Sequence, residues 1–320
     1  MTMFPFICLS IGIILGIFIK DSRISIYSEK LSTIALGLLM ISIGLGIGLD
    51  SSIMNNFFKI GFNCIVISLS AILFSILFTV ICEKTILPLE KIDSDLKKKH
   101  ITLYSTQENN INNSNEEKND SWLVWIMPIS VTLGIMLGIM LKGIVTPYLI
   151  NISFTVFLTI LYLCVGISQG TNKEVFSFIK LLGFKTIWLS VAIILGSIIG
   201  GGIAGIILNL PWNISIISAS GMSYYSITGA YMVNKYGLEI GTYGFIVNIL
   251  RELFTILLMP FLIKISLGSP IAGGGAGNMD TMLIPITKFV GVKLGLVTLL
   301  TGTILTFIVP FLLPFLSSIL

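Results

Sequence analysis

Long apolar runs separated by short polar segments organise this chain. The runs fall at residues 3–19, 31–49, 60–82, 122–141, 147–169, 182–208, 211–233 and 240–263, followed by a glycine-rich stretch at 267–287 and a last run at 290–320. A helix needs about 20 apolar residues to cross a bilayer, and most of these runs meet that length. Their apolar residues are continuous rather than alternating, which excludes the in-and-out pattern of a β-barrel. The pattern predicts an all-α polytopic membrane protein of about nine or ten transmembrane or re-entrant helices, some of them discontinuous.

Segment 83–121 breaks the pattern. It holds Lys97, Lys98 and Lys99, then an Asn/Glu/Lys-rich tract from Gln107 to Asp120 that has too little apolar surface to order itself. It is expected to be a flexible cytoplasmic loop. Basic residues collect in alternate loops: Lys20, Arg23 and Lys30 in the first, Lys84, Lys91 and Lys97 to Lys99 in the third, Lys173 and Lys180 in the fifth, Lys235 in the seventh. The excess of Lys and Arg on one side predicts that these loops are cytoplasmic and the N-terminus outside. A crossing at 267–287 would put the C-terminus outside as well, and a re-entrant loop there would leave it inside. The first run is expected to be a retained span, because its leading residues lack the basic cluster of a signal peptide.

The hydropathy pattern also repeats. Gly12-Ile13-Ile14-Leu15-Gly16-Ile17 through Lys20 matches Gly134-Ile135-Met136-Leu137-Gly138-Ile139 through Lys142, at an offset of 122 residues. Gly44 and Gly48 match Gly166 and Gly170, Asp50 falls opposite Asn172, and Gly61-Phe62 matches Gly183-Phe184. Three spans separate the copies, so the second would lie upside down, as in secondary transporters built from inverted repeats. The expected organisation is a three-span unit at 1–82, the loop at 83–121, a second, inverted three-span unit at 122–208, and a C-terminal transport region with broken helices at 209–320.

Composition agrees with a lipid environment: 55% of residues are hydrophobic, 11% are charged, and the mean hydropathy is +1.00. The net charge of +4 is spread between spans and forms no nucleic-acid patch. Cys8, Cys64, Cys82 and Cys164 sit in or at the ends of apolar runs without a CxxC pair and read as small hydrophobes. The single histidine, His100, lies in the polar loop. No metal or cofactor is expected.

Charged residues inside a span are costly and point to a partner or a wet cavity. Arg251 and Glu252 lie halfway along run 240–263, about 18 Å from either end at helical rise, and Asn248 is one turn before Glu252. Glu252 reads as a carboxylate for substrate or proton. Arg251 reads equally as its moderator or as half of a structural ion pair. Asp50 follows a glycine-dense stretch, Gly44 to Gly48, and is either a binding carboxylate or an ordinary interfacial aspartate. Two further segments look unlike simple spans. Ser218 to Gly229 carries Ser220, Tyr224, Tyr225, Ser226 and Thr228 within an apolar run, and Gly268 to Met282 is glycine-rich with Asn278 and Asp280. Such interruptions suit discontinuous helices around a midplane site, although hydroxyl-mediated packing and an exposed loop are the alternatives. Neither a rhomboid GxSG, an intramembrane GxGD nor a Walker A loop is present, so an enzyme or an ATP-driven pump is not indicated. The GxxxG spacings at Gly12/Gly16, Gly134/Gly138 and Gly196/Gly200 are packing devices without functional information.

At these segments the sequence resembles the LysO lysine-exporter family. Ser220-Gly221-Met222-Ser223-Tyr224-Tyr225-Ser226-Ile227-Thr228-Gly229 is similar to a family stretch of the form SGFGWYSLSG. Asn248-Ile249-Leu250-Arg251-Glu252-Leu253 is similar to N-x-x-R-E-L, and Gly275-Ala276-Gly277-Asn278-Met279-Asp280-Thr281-Met282-Leu283-Ile284-Pro285 is similar to GATSMDxTLP. The resemblance is clear over 122–320 and extends to 1–82 through the Gly-Ile-x-Leu pattern near Asp50. Tyr224-Tyr225 departs from the usual Trp-Tyr. The resemblance implies export of L-lysine and of toxic lysine analogues across the bacterial cytoplasmic membrane, with two important carboxylates carried onto Glu252 and Asp50.

Lysine carries one net positive charge, and moving it out against about 150 mV, inside negative, costs roughly 3.5 kcal/mol. Exchange with an entering proton cancels that charge. One carboxylate suffices if it binds either the ammonium or a proton and crosses only when neutralised. Glu252 is the better candidate for that group, with Asp50 or Asp280 fixing the other end of the substrate. The competing readings are a channel or uniporter for another small cationic metabolite, and a non-transporting scaffold. The oligomeric state is left open by the sequence, a homo-oligomer included.

Overall fold

A computed structural model describes residues 4–18, 22–49, 56–89, 129–130, 132–142, 147–171, 184–291 and 294–320. Asp50, Asn172, His100 and nearly all of the expected loop at 83–121 lie outside the described residues. The described residues are helical, with no strand among them. The helices are α1 (Phe4–Phe18), α2 (Ser22–Leu49), α3 (Phe57–Thr85), α4 (Pro147–Thr171), α5 (Ile187–Leu208), α6 (Trp212–Ala219), α7 (Tyr225–Tyr236), α8 (Leu238–Ile265), α9 (Gly268–Gly274), α10 (Leu283–Val290) and α11 (Gly295–Ile319). A further helical stretch at 132–140 lies between α3 and α4. Among the described residues five helices are long and apolar enough to cross a membrane: Lys30–Leu49, Phe58–Thr85, Phe184–Leu208, Leu238–Ile265 and Gly295–Ile319. The chain is thus an all-α polytopic membrane protein.

The helices form two compact units. One contains Met1–Ile60, Lys118–Lys173 and Ala230–Thr242; the other contains Gly61–Glu117, Glu174–Gly229 and Tyr243–Leu320. Helices α1, α2, α4 and the 132–140 stretch thus belong to the first unit, and α5 and most of α3 to the second.

Glycine decides the packing of the first unit. A Cβ added to Gly12 or Gly16 of α1 would strike the backbone of α4 at Leu163, Ile167 and the glycines Gly166 and Gly170. A Cβ on Gly166 or Gly170 would strike Leu9 and Ile13 in return. The same contact recurs elsewhere in this unit: Gly134 and Gly138 of the 132–140 helix meet Ile41, Gly44, Leu45 and Gly48 of α2. Helices in lipid associate by close van der Waals packing, and only small residues permit backbone contact at this range. Gly166→Ala forces the two backbones apart and is expected to cost about 1–3 kcal/mol. Thermal unfolding in detergent should show a lower Tm for it and no shift for Gly61→Ala, since a Cβ at Gly61 meets nothing within 4 Å.

In the second unit α3 and α5 cross at equally short range. Gly196 and Gly200 of α5 lie against the backbone of Ser75, Ser70 and Ala71, which brings the Ser75 and Ser197 hydroxyls to 3.0 Å from each other. Ser70 adds a bond from its hydroxyl to the Gly200 carbonyl at 2.8 Å. Below this crossing an apolar core gathers Cys82, Leu189, Met259, Ile271, Met282, Ile286 and Val297. Long helix α8 turns Leu253, Leu257 and Phe261 outward, all exposed. Residues Asn248, Arg251, Thr255 and Met259 of the same helix are buried. An outward apolar stripe and an inward polar one are what a lipid-facing helix lining a protein interior requires.

Candidate substrate and proton site

The two interrupted runs of the sequence are two broken helices, and both breaks lie in the second unit. Run 211–233 is split into α6 and α7 by the turn at Ser220 to Tyr224, where Met222 and Ser223 adopt φ of 49° and 73°. Run 267–287 is split into α9 and α10 by a 3-10 turn, Gly275–Met279, that begins with φ of 59° at Gly275. The breaks touch. Ala276 N–H donates to the Met222 carbonyl at 2.7 Å, and a Cβ at Gly275 would strike that same carbonyl. Unwound backbone is tolerated at membrane depth only where protein or water satisfies it, and each break here satisfies part of the other.

Asn248 holds the first break. Its Oδ1 accepts the Ser223 N–H at 2.8 Å, while Nδ2 donates to the carbonyls of Ser218 at 2.9 Å and Gly244 at 2.7 Å. A side-chain amide replaces the bonds that a continuous helix would have made. The hydroxyls singled out in the sequence are also engaged locally: Ser220 Oγ donates to the Ile216 carbonyl at 2.7 Å and Thr228 Oγ1 to that of Tyr224 at 2.8 Å. Ser226 is buried, and the Tyr225 ring meets Phe245 edge-on, centroids 6.0 Å apart. Asn278 is fully buried with Nδ2 donating to the Ile271 carbonyl at 2.8 Å; its Oδ1 and the Ser223 hydroxyl accept or donate no hydrogen bond among the described residues.

Glu252 sits one residue from the fully buried Arg251 but is not paired with it. The carboxylate is 7% exposed and accepts a hydrogen bond from the Thr281 hydroxyl. Gly277 makes room for it, since a Cβ there would lie 2.8 Å from Oε1. Asp280 follows the 3-10 turn, is exposed, and accepts the Thr281 N–H at 2.6 Å. Thr281 thus bonds both acids, Asp280 through its backbone and Glu252 through its hydroxyl. Tyr225 is within electrostatic range of Glu252, Asp280 and Tyr224, and Glu252 of Asp280. Glu252, Asp280, Tyr224 and Tyr225 therefore come together from both broken helices and α8. Among the described residues no lysine or arginine pairs with Glu252.

Arg251 points elsewhere. Its Nε donates to the Gly273 carbonyl at 3.1 Å, Nη1 to Ser197 Oγ at 2.8 Å, and Nη2 to Ser75 Oγ at 3.2 Å and the Ala272 carbonyl at 2.9 Å. All of these acceptors are uncharged. The sequence reading did not single out Thr281, Ser75 or Ser197. Thr281 had a signal, its place beside Asp280 in the glycine-rich motif; the two serines had one in the repeat offset, since they are 122 residues apart.

A family model described as "Lysine exporter LysO" matches residues 6–93 and 128–317. The chain belongs to the lysine exporter LysO family. It is 32% identical over 161 residues to "Lysine exporter LysO" of Escherichia coli (strain K12), a match covering 50% of this chain and 54% of that protein. It is 28% identical over 193 residues to a protein named "Putative lysine exporter" from Haemophilus influenzae (strain ATCC 51907 / DSM 11121 / KW20 / Rd), covering 59% of this chain and 95% of that one. The chain thus aligns with about half the length of the Escherichia coli protein. No solved structure matches it.

Proposed function

We propose that this member of the LysO family exports L-lysine, together with related cationic amino acids or toxic lysine analogues, across the bacterial cytoplasmic membrane in exchange for protons. The observation that carries the reading is the state of Glu252. It is a buried carboxylate near two broken helices that pairs with no lysine or arginine among the described residues, while the guanidinium of the preceding residue is occupied by neutral acceptors. A buried charge without a partner is costly, so the group needs a cation from outside the protein. An ammonium and a proton both qualify, and they compete for the same oxygens.

The proton cancels the charge that lysine carries out, removing a cost of roughly 3.5 kcal/mol at about 150 mV. Asp280, at the exposed edge of the same cluster, or alternatively Asp50 is proposed to fix the other end of the substrate. Tyr224, Tyr225, Ser226 and Asn278 line the two breaks, whose backbone suits the α-amino and α-carboxylate groups. Ser220, Thr228 and Asn248 shape the break of α6 and α7 rather than reach for the substrate.

The inverted repeat belongs to this reading, as do the four-part division at 1–82, 83–121, 122–208 and 209–320, and an N-terminus outside. Its support is the reciprocity of the glycine contacts: the first run of each copy packs on the second run of the other. Two bodies related by a two-fold exchange contacts in this way.

Purified protein in liposomes loaded with labelled lysine tests the function. Efflux should accelerate when the outside is acidified and respond little to membrane potential alone at one-for-one exchange. Efflux indifferent to the imposed pH step would indicate a uniporter or channel instead.

A further inference from the structure

Arg251 is one of the largest fully buried side chains among the described residues, and the proposed exchange gives it no task. We propose that it is a positioning residue: it locks half-helix α9, and with it the break that carries Asp280 and Thr281, onto the crossing of the two repeat-related helices α3 and α5. This goes beyond the exchange reading and borrows from it only the repeat.

Three observations support the lock. The first is the acceptor set. Nε and Nη2 take the carbonyls of Gly273 and Ala272, which belong to the last turn of α9, where carbonyls lack helical partners and the helix dipole is negative. A guanidinium satisfies both carbonyls and dipole at once. The opposite end of α9 is held by the opposite charge: Glu83 Oε1 accepts the Gly268 N–H at 2.9 Å and the Ser266 hydroxyl at 2.8 Å. A helix of seven residues is far too short to be stable alone, so the two end charges hold it.

The second observation is the pair of serines. Ser75 and Ser197 stand at matching positions of the repeat, their hydroxyls are 3.0 Å apart, and the guanidinium bonds both. Residues that exchange under a two-fold can meet only on its axis. Arg251 therefore sits where the two copies meet, and it ties that point to α9.

The third is the neighbour in sequence. Arg251 and Glu252 are consecutive residues of α8, so the lock that places α9 also places Thr281 and Gly277 against the Glu252 carboxylate. The cation next to the candidate carboxylate directs four of its five N–H donors to neutral dipoles, which keeps that carboxylate available.

The experiment is a double-mutant cycle on lysine efflux from proteoliposomes, using R251K with S75A and S197A. Lysine keeps the charge but has three donors on a point ammonium and cannot reach all four acceptors. R251K is expected to lower the maximal rate about tenfold, in line with small displacements of a transport geometry, and to leave half-saturation for internal lysine within about twofold. Its response to a pH step remains. S75A and S197A each lower the rate by a similar few-fold factor in the wild type, and by much less in the R251K background, because their shared partner is already displaced. Fully additive losses, or a wild-type rate for R251K, would overturn the lock. A large rise in half-saturation or a lost pH response in R251K would place Arg251 among the substrate or proton groups instead. If the wild type itself ignores pH, the exchange reading fails, while the cycle still decides the position of Arg251.

Discussion

Glu252→Gln should abolish pH-driven lysine efflux while leaving the protein folded and inserted. The amide keeps the volume of the carboxyl group and still accepts from the Thr281 hydroxyl, the bond that Glu252 makes now. What it loses is the charge and the exchangeable proton. Without charge, the ammonium has no counter-ion within the buried cluster, and a desolvated cation without one is expensive. Without a titratable proton, one-for-one exchange has no carrier. The expected result in proteoliposomes is efflux at the level of empty liposomes across an imposed pH step. Lysine–lysine counterflow then separates two roles: its loss marks Glu252 as the substrate counter-ion, and its survival marks a coupling group alone. An unchanged pH response would remove the assignment. Glu252→Asp retains charge one methylene back from Thr281, and should keep a reduced, still pH-dependent rate.

Asn248→Ala is expected to have the second-largest effect, through the backbone rather than the cargo. The amide makes three bonds of 2.7–2.9 Å, and the Ser223 N–H and Ser218 carbonyl it serves are buried at a helix break. A buried group left unsatisfied costs about 1–3 kcal/mol. The same turn holds Met222 and Ser223 at positive φ, a conformation that costs about 1–3 kcal/mol per non-glycine residue unless its surroundings enforce it. Asn248→Ala removes that enforcement, so the turn relaxes and the Met222 carbonyl no longer meets Ala276 of the other break. Transport should fall at least about tenfold, and the Tm in detergent should drop. Thr242→Ala is the control. Thr242 is on the same helix and fully buried, but its hydroxyl only bonds back to the Leu238 carbonyl at 2.9 Å, and its loss should cost about 1 kcal/mol or less. Equal effects of the two substitutions would show that Asn248 is ordinary helix packing.

The spans, the helical class and the two interruptions were legible along the chain because the bilayer enforces them locally. A backbone in hydrocarbon must satisfy its own N–H and C=O groups, so apolar length alone announces a helix, and clustered glycine or serine announces where it stops. The glycine-rich helix contacts were legible for a related reason: packing at backbone distance admits only small residues, and Gly12, Gly16, Gly44 and Gly48, like Gly134, Gly138, Gly166 and Gly170 at an offset of 122, all sit at such contacts. The depth of Arg251 and Glu252 followed from counting residues to the span ends. Their opposite fates did not. Adjacent on one helix, the two charges invite an ion pair on paper, yet Arg251 turns to two serines and two carbonyls while Glu252 turns to Thr281. Those partners come from α3, α5, α9 and the turn before α10, between 21 and 176 residues away in the chain. Which of several polar side chains a buried charge meets depends on how the helices cross. That crossing is set by the summed contacts of whole helix faces, and no local stretch of sequence contains them.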